Sequence, residues 1–173
     1  MDDDTAGTGA SLELVILVGL QASGKSTFFR QRLSGTHVHV SKDLFPNARR
    51  RQARQLRMIE EALGAGRSVA VDNTNPSPAE WGPLIELGHR HGAKVRGMWF
   101  PPDVSGSLER NAARQVKTRV PEIGVHATLK RLRRPEGSDG FDELHVVTMD
   151  GAGGFEVTAM GTGVEGQDAG PGS

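Results

Sequence analysis

The 173-residue sequence contains no cysteine, which excludes a disulfide, a thiol nucleophile and a cysteine metal site. It also lacks net charge. Lys+Arg and Asp+Glu both number 21, so the overall balance neither favours nor excludes a nucleic-acid partner. No apolar run reaches the ~18 residues of a membrane span, and the acidic start Asp2-Asp3-Asp4 is unlike a signal peptide. A cytoplasmic location without a membrane partner is the expectation. Hydrophobic residues make up only 36%, but the shortfall is local, because 8 of the 23 glycines follow residue 150. The rest of the chain is long enough for one domain with a sizeable core and too short for two, and it shows no internal repeat.

What is present is concentrated in one stretch. Leu12 to Val18 reads as a strand that is continuous rather than alternating, apolar without a break from Leu14 to Val18, as expected of a central parallel strand covered on both faces. It breaks into Gly19-Leu20-Gln21-Ala22-Ser23-Gly24-Lys25-Ser26-Thr27, which fits the phosphate-binding P-loop (Walker A) pattern G-x-x-x-x-G-K-[ST] in full. Gly19 and Gly24 allow torsions and close approach that a side chain would block, so backbone N–H groups can turn towards phosphate oxygens. A helix starting near Lys25 adds its own unpaired N–H groups. Lys25 would reach the β and γ phosphates and the Ser26 hydroxyl would hold Mg²⁺.

The remaining pattern alternates strand and helix. Helix signals cover about Lys25 to Leu33, Asn47 to Leu63, Pro78 to His91, Val104 to Val116 and His126 to Arg134, with a polar loop from Lys117 to Gly124. Strand signals cover Thr36 to Val40, Arg67 to Asp72, Lys94 to Phe100 and Leu144 to Met149, and Phe155 to Met160 suits an edge strand. The expectation is an α/β fold, a doubly wound parallel sheet of five strands with a helical lid. Residues 1–11 read as a disordered lead-in, 12–150 as the folded domain, and 151–173 as an edge strand followed by a flexible tail. Such sheets bind ligands beyond the carboxyl ends of their strands, where the P-loop, Asp43 and Asp72 all fall.

Asp43 follows the second strand. A kinase acting on a hydroxyl needs a carboxylate there to take the proton, whereas an Asp in a turn can equally cap it or pair with Lys42 or an arginine. Asp72 ends an apolar strand, from where it can steer Mg²⁺-bound water or join Asn75 in an Asx turn before Pro76. Arg110 and Arg114 stand four apart on one helix side, either held over phosphates or simply solvated. His37 with His39, and His89 with His91, have metal-pair spacing but no further ligand in view.

Taken together, Gly19 to Phe28, His37-Val38-His39-Val40-Ser41-Lys42-Asp43, Val69-Ala70-Val71-Asp72-Asn73-Thr74-Asn75-Pro76 and Glu109-Arg110-Asn111-Ala112-Ala113-Arg114 resemble the kinase domain of the 5′-polynucleotide kinase family. They occur in that family's order and span about residues 13–150. The resemblance implies ATP- and Mg²⁺-dependent transfer to the 5′-hydroxyl end of a nucleic acid. It implies Asp43 as general base, Arg114 as a lid arginine on the ATP phosphates, and Arg110 covering the nucleotide. Asp72, Asn73 and Asn75 fall on its acceptor side. The family's arginine three residues after the base is Pro46 here, and Arg49 and Arg50 stand nearest to replace it. Ser41-Lys42-Asp43 replaces the more usual Asn-Arg-Asp, and no Asp-x-Asp-Gly-Thr phosphatase motif occurs in these residues. Related small P-loop kinases act on sugars, antibiotics or nucleotide sugars, so a small-molecule acceptor stands as the alternative. A nucleotide-dependent switch is a third reading, although the guanine-specific Asn-Lys-x-Asp segment is absent.

Overall fold

Strand β1 (Glu13–Val18) is the axis of the fold, and the side chains from Leu14 to Val18 are completely buried. Because neighbouring side chains on a strand point to opposite faces, its even residues feed one core and its odd residues another. In the computed structural model, which describes residues 11–116 and 119–161, β1 pairs in parallel with β3 (Val69–Asp72) and with β4 (Lys94–Trp99). Strand β2 (Val38–Val40) lies outside β3, and β5 (Glu143–Met149) outside β4, again in parallel. The order is β2-β3-β1-β4-β5-β6.

The five parallel strands are those expected from the sequence, and Phe155–Ala159 makes a sixth, β6, antiparallel to β5. The sheet is therefore mixed at one edge. Strand β6 also contributes to packing, since Phe155 meets Phe28 edge-on at 5.4 Å and Phe28 meets Phe100 at 5.6 Å. These rings, with Val15, Leu17 and Met98, form the core beneath α1 (Lys25–Arg32). That helix has only two turns and buries just Lys25, Phe28 and Phe29, so the β5–β6 hairpin supplies cover it cannot.

The opposite face is covered by α2 (Arg51–Gly64) and α3 (Pro78–Arg90). Helix α2 buries Gln55, Ile59, Ala62 and Leu63, the spacing of one helical stripe. Helix α3 starts with Pro78 in its first turn, where a missing N–H costs nothing, and buries Trp81, Leu84, Ile85 and Leu87. At Gly88 the helix comes so close to the sheet that an added Cβ would stand 2.7 Å from Val95 and 2.9 Å from Leu14. Each fully buried aliphatic or aromatic side chain in these two layers contributes roughly 1.5–3 kcal/mol.

The lid elements differ most from expectation. Helix α4 (Val104–Ala112) stops before Arg114. Its successor α5 (Glu122–Arg131) starts earlier than expected, because Pro121 and Glu122 begin a helix rather than end a polar loop. Likewise α2 begins at Arg51, so Asn47 to Arg50 form the turn leading into it. The expected lead-in falls outside the described residues up to residue 10, and the expected tail from residue 162. Among the described residues no helix is long and apolar enough to cross a membrane.

Candidate active site

The P-loop is set by two close approaches. Gly19 donates its N–H to the Thr74 carbonyl at 3.0 Å, and a Cβ there would lie 2.8 Å from the Phe100 Cβ. Gly24 caps α1 with φ 94°, a left-handed conformation, and a Cβ there would meet the Met149 methyl at 2.8 Å. Both glycines are required by strand and hairpin packing as well as by any bound phosphate. Gln21 donates to Thr128 Oγ1 of α5 at 2.8 Å, and Arg110 Nε of α4 donates to the Ala22 carbonyl at 2.6 Å. The lid is thereby tied directly to the loop.

Lys25 is turned in on that loop. Its ammonium donates to the Gly19 carbonyl at 3.0 Å, to the Leu20 carbonyl, and to Ser23 Oγ at 3.3 Å, and the residue is only 7% exposed. Burial lowers its pKa to about 8; Asp72 and Asp43 oppose that shift and Arg114 adds to it. Charges from three distant parts of the chain therefore act on this lysine: one after β2, one at the end of β3, and one beyond α4.

Asp72 is linked to the P-loop. Ser26 Oγ donates to Asp72 Oδ2 at 2.7 Å, and His39 Nε2 approaches the same oxygen at 2.9 Å. Burial pulls the Asp72 carboxyl upward, but hydrogen bonds from His39 and Ser26 and the charge of Lys25 outweigh it and hold it below the usual carboxylate range. A hydroxyl and an ionised carboxylate side by side at a helix start are the hard oxygen donors that Mg²⁺ takes, so these residues fit the ion. Asp72 thus stands beside Ser26 at the start of α1.

Asp43 lies in a single 3-10 turn, Lys42–Leu44, at the carboxyl end of β2. Its side chain is 96% exposed, and its nearest ionic partner is Arg51 Nη2 at 3.8 Å. Asn73 holds this turn in place. Its Oδ1 accepts from the Lys42 N–H at 2.9 Å, and its Nδ2 donates to Gln55 Oε1 at 2.6 Å. Asn75 is 4% exposed and sits at φ 43°, and its amide donates to the Leu17 carbonyl at 2.8 Å. In the unliganded protein both amides are engaged in bonds inside the protein. One steadies the Asp43 turn, and the other ties β3 to β1.

Arg49 and Arg50 are exposed in the turn before α2. With Arg51, Arg54 and Arg57 they crowd one end of a helix whose first turn carries no acidic residue and whose Arg50 cap makes no side-chain hydrogen bond. Arg54 lies over the Phe45 ring at 5.1 Å. In the lid, Asn111 is 2% exposed and accepts from the Val120 N–H at 2.8 Å, closing the segment that carries Arg114. The structure adds His39, Gln55 and Asn111 to the residues that shape the site. Their partners lie far along the chain or in the lid, so the signal for their roles needs the fold. His37 pairs with Glu13 at 2.8 Å, away from His39. Among the described residues no group of three or more His, Asp or Glu could hold a metal ion.

A P-loop flanked by two strand-end carboxylates and an arginine lid, on a parallel sheet, defines a nucleotide-binding protein of the P-loop class. The chain belongs to the family described as an AAA domain, AAA_33, whose model matches residues 14–135. It is 24% identical over 139 residues to the bifunctional polynucleotide phosphatase/kinase of Schizosaccharomyces pombe, covering 78% of this chain and 33% of that protein. It is 27% identical over 145 residues to a protein of Acanthamoeba polyphaga mimivirus provisionally given the same name, covering 79% of this chain and 33% of that one. The chain thus spans about a third of the length of the curated relatives it matches.

Solved structures agree on the fold. Chaetomium thermophilum Kti12 in complex with ADP-AlF3 superposes with a TM-score of 0.65 at 18% identity, covering 79% of this chain and 89% of that one. A fungal RNA kinase gives 0.63 at 15% identity, covering 81% and 39%. A gluconokinase from Sinorhizobium meliloti 1021 gives 0.57 at 18%, covering 79% and 83%.

Proposed function

We propose that the protein transfers the γ-phosphoryl group of ATP to the 5′-hydroxyl of a polynucleotide. The observation that carries this reading is a P-loop whose Ser26 bonds the Asp72 carboxylate, with Asp43 open to solvent on a neighbouring turn that Asn73 fixes. Asp43 accepts the proton of the acceptor hydroxyl as its oxygen bonds to the γ-phosphorus. The bond from that phosphorus to the bridging oxygen breaks, and ADP leaves with the electron pair. Lys25 leaves its carbonyl partners for the phosphates, and Arg114 and Arg110 cover them from the lid. Mg²⁺, held through Ser26 and Asp72, would supply further neutralisation of the phosphate charge.

The relatives are named for polynucleotide work, and the arginines beside Asp43 favour an acceptor carrying several phosphates. The gluconokinase likeness fits the competing reading, a small hydroxylated metabolite. Salt separates the two. A strand whose phosphates touch three of these arginines should show its acceptor KM rising roughly 10- to 20-fold between 50 and 200 mM salt. A neutral polyol acceptor should be nearly insensitive. Steady-state transfer of labelled phosphate across that range is the test, and a flat KM for an oligonucleotide contradicts the proposal.

A further inference from the structure

His39 occupies the middle of β2, and its ring is held from two sides. It stacks on Phe29 of α1 with centroids 4.3 Å apart and planes at 22°, and its Nε2 lies 2.9 Å from Asp72 Oδ2. An ionised carboxylate only accepts hydrogen bonds, so Nε2 carries the proton and donates. Phe29 fixes the plane of the ring, and Asp72 fixes which edge it presents. The same Oδ2 accepts from Ser26 Oγ at 2.7 Å, so hydroxyl, carboxylate and imidazole form one connected chain. His39 also stands four residues before Asp43 on the segment that runs from β2 into the catalytic turn. It therefore joins the strand bearing the proposed base to the carboxylate beside the metal position. His37, two residues away, is engaged elsewhere with Glu13, and the two imidazoles do different things.

From this geometry we infer that His39 is a positioning residue: its Nε2–H holds the Asp72 carboxylate in the orientation that Ser26 and a bound Mg²⁺ share. The inference rests on the P-loop reading of the site but not on the identity of the acceptor. Without the donor, Asp72 keeps only the Ser26 bond on that oxygen and gains freedom to rotate. A metal-bound water or a metal ion would then meet a less organised partner. Losing a group that orients a metal site costs typically ~10- to 100-fold in metal affinity, so the effect falls on Mg²⁺ before it falls on the nucleotide.

The experiment uses the 173-residue protein and a fluorescent ADP analogue, titrated with Mg²⁺ in the absence of any acceptor. His39→Leu keeps apolar contact with Phe29 and removes the donor. His39→Gln offers an amide N–H at similar reach, and His39→Asn offers the same amide one carbon short of it. The Mg²⁺ concentration for half-maximal tightening of nucleotide binding should rise roughly 10-fold or more in the Leu and Asn variants and stay within ~3-fold of wild type in the Gln variant. Affinity for the analogue without Mg²⁺ should stay within ~2-fold throughout. Should the Leu variant fail to fold, the Asn and Gln pair makes the same comparison. An unchanged Mg²⁺ curve in the Leu and Asn variants, or a Gln variant as impaired as they are, overturns the inference. A wild-type protein that binds no analogue overturns the P-loop reading itself, a result distinct from any difference among the variants.

Discussion

Asp43→Asn is expected to lower phosphoryl transfer by roughly 10²- to 10⁴-fold, the contribution typical of a positioned general base, while leaving ATP affinity nearly intact. The separation follows from where the residue sits. Its side chain is 96% exposed, and the 3.8 Å approach of Arg51 is a weak surface contact. The turn around it is held by Asn73 and by the Ser41 side chain, neither of which uses the Asp43 carboxylate. The substitution therefore carries little structural cost, within about 0.5 kcal/mol for an exposed site of this kind. Thermal melting should be unchanged, and nucleotide titration should give the wild-type affinity. Lost ATP binding in the variant would instead assign Asp43 to the nucleotide.

The second large effect concerns Lys25 and has two opposite parts. Lys25→Met should cut transfer by roughly 10²- to 10³-fold, because a cationic donor to the phosphates is gone. In the nucleotide-free protein the same change should raise stability at neutral pH. Burial holds the Lys25 pKa at about 8, below the 10.5 of a free lysine. The unfolded chain therefore keeps a proton that the folded chain gives up between these values, and the lysine's contribution to stability rises with pH across that window. Below pH 8 the penalty for burying the charge is present in full, on the order of 3 kcal/mol. Methionine removes the charge and also leaves the Gly19 and Leu20 carbonyls without the ammonium, about 1 kcal/mol each, so the net gain is smaller. The methionine variant's advantage in melting temperature should be greatest near pH 7, then shrink and reverse towards pH 10, where the wild-type amine is largely neutral while the variant still lacks the two carbonyl bonds. A gap independent of pH would contradict the buried-charge account. Triphosphate binding to wild type at pH 8.5 should take up protons, because phosphates restore the charge on Lys25.

These expectations depend on features of unequal legibility. Strands β1 and β3 are plain in the sequence because each holds a run of adjacent apolar residues, Leu14 to Val18 and Val69 to Val71, that enters a polar turn. The start of α2 falls later than its sequence pattern suggests, because the cap is Arg50, which makes no side-chain capping bond, and a run of arginines continues across the boundary. Strand β6 is legible as an edge strand, but its packing role is not, because only the fold shows that the turn through the glycines at 151, 153 and 154 brings Phe155 back onto Phe28.

In the site, the P-loop can be read from spacing alone. The duties of Asn73, Asn75 and His39 cannot, because their partners lie far along the chain: Gln55, Leu17 and Asp72. Polar residues at strand ends look alike in sequence whether they face a substrate or brace the protein, and here Asn73 and Asn75 brace it.

The most direct test of the account is to incubate the protein with ATP and Mg²⁺ in the presence of two copies of one oligonucleotide sequence, distinguishable by mass, one ending in a 5′-hydroxyl and the other in a 5′-phosphate. The account predicts that the first gains a single phosphoryl group at its 5′ end, ADP accumulates in step, and the second is unchanged. ATP bound at the P-loop with no phosphoryl group reaching the 5′-hydroxyl end would contradict it.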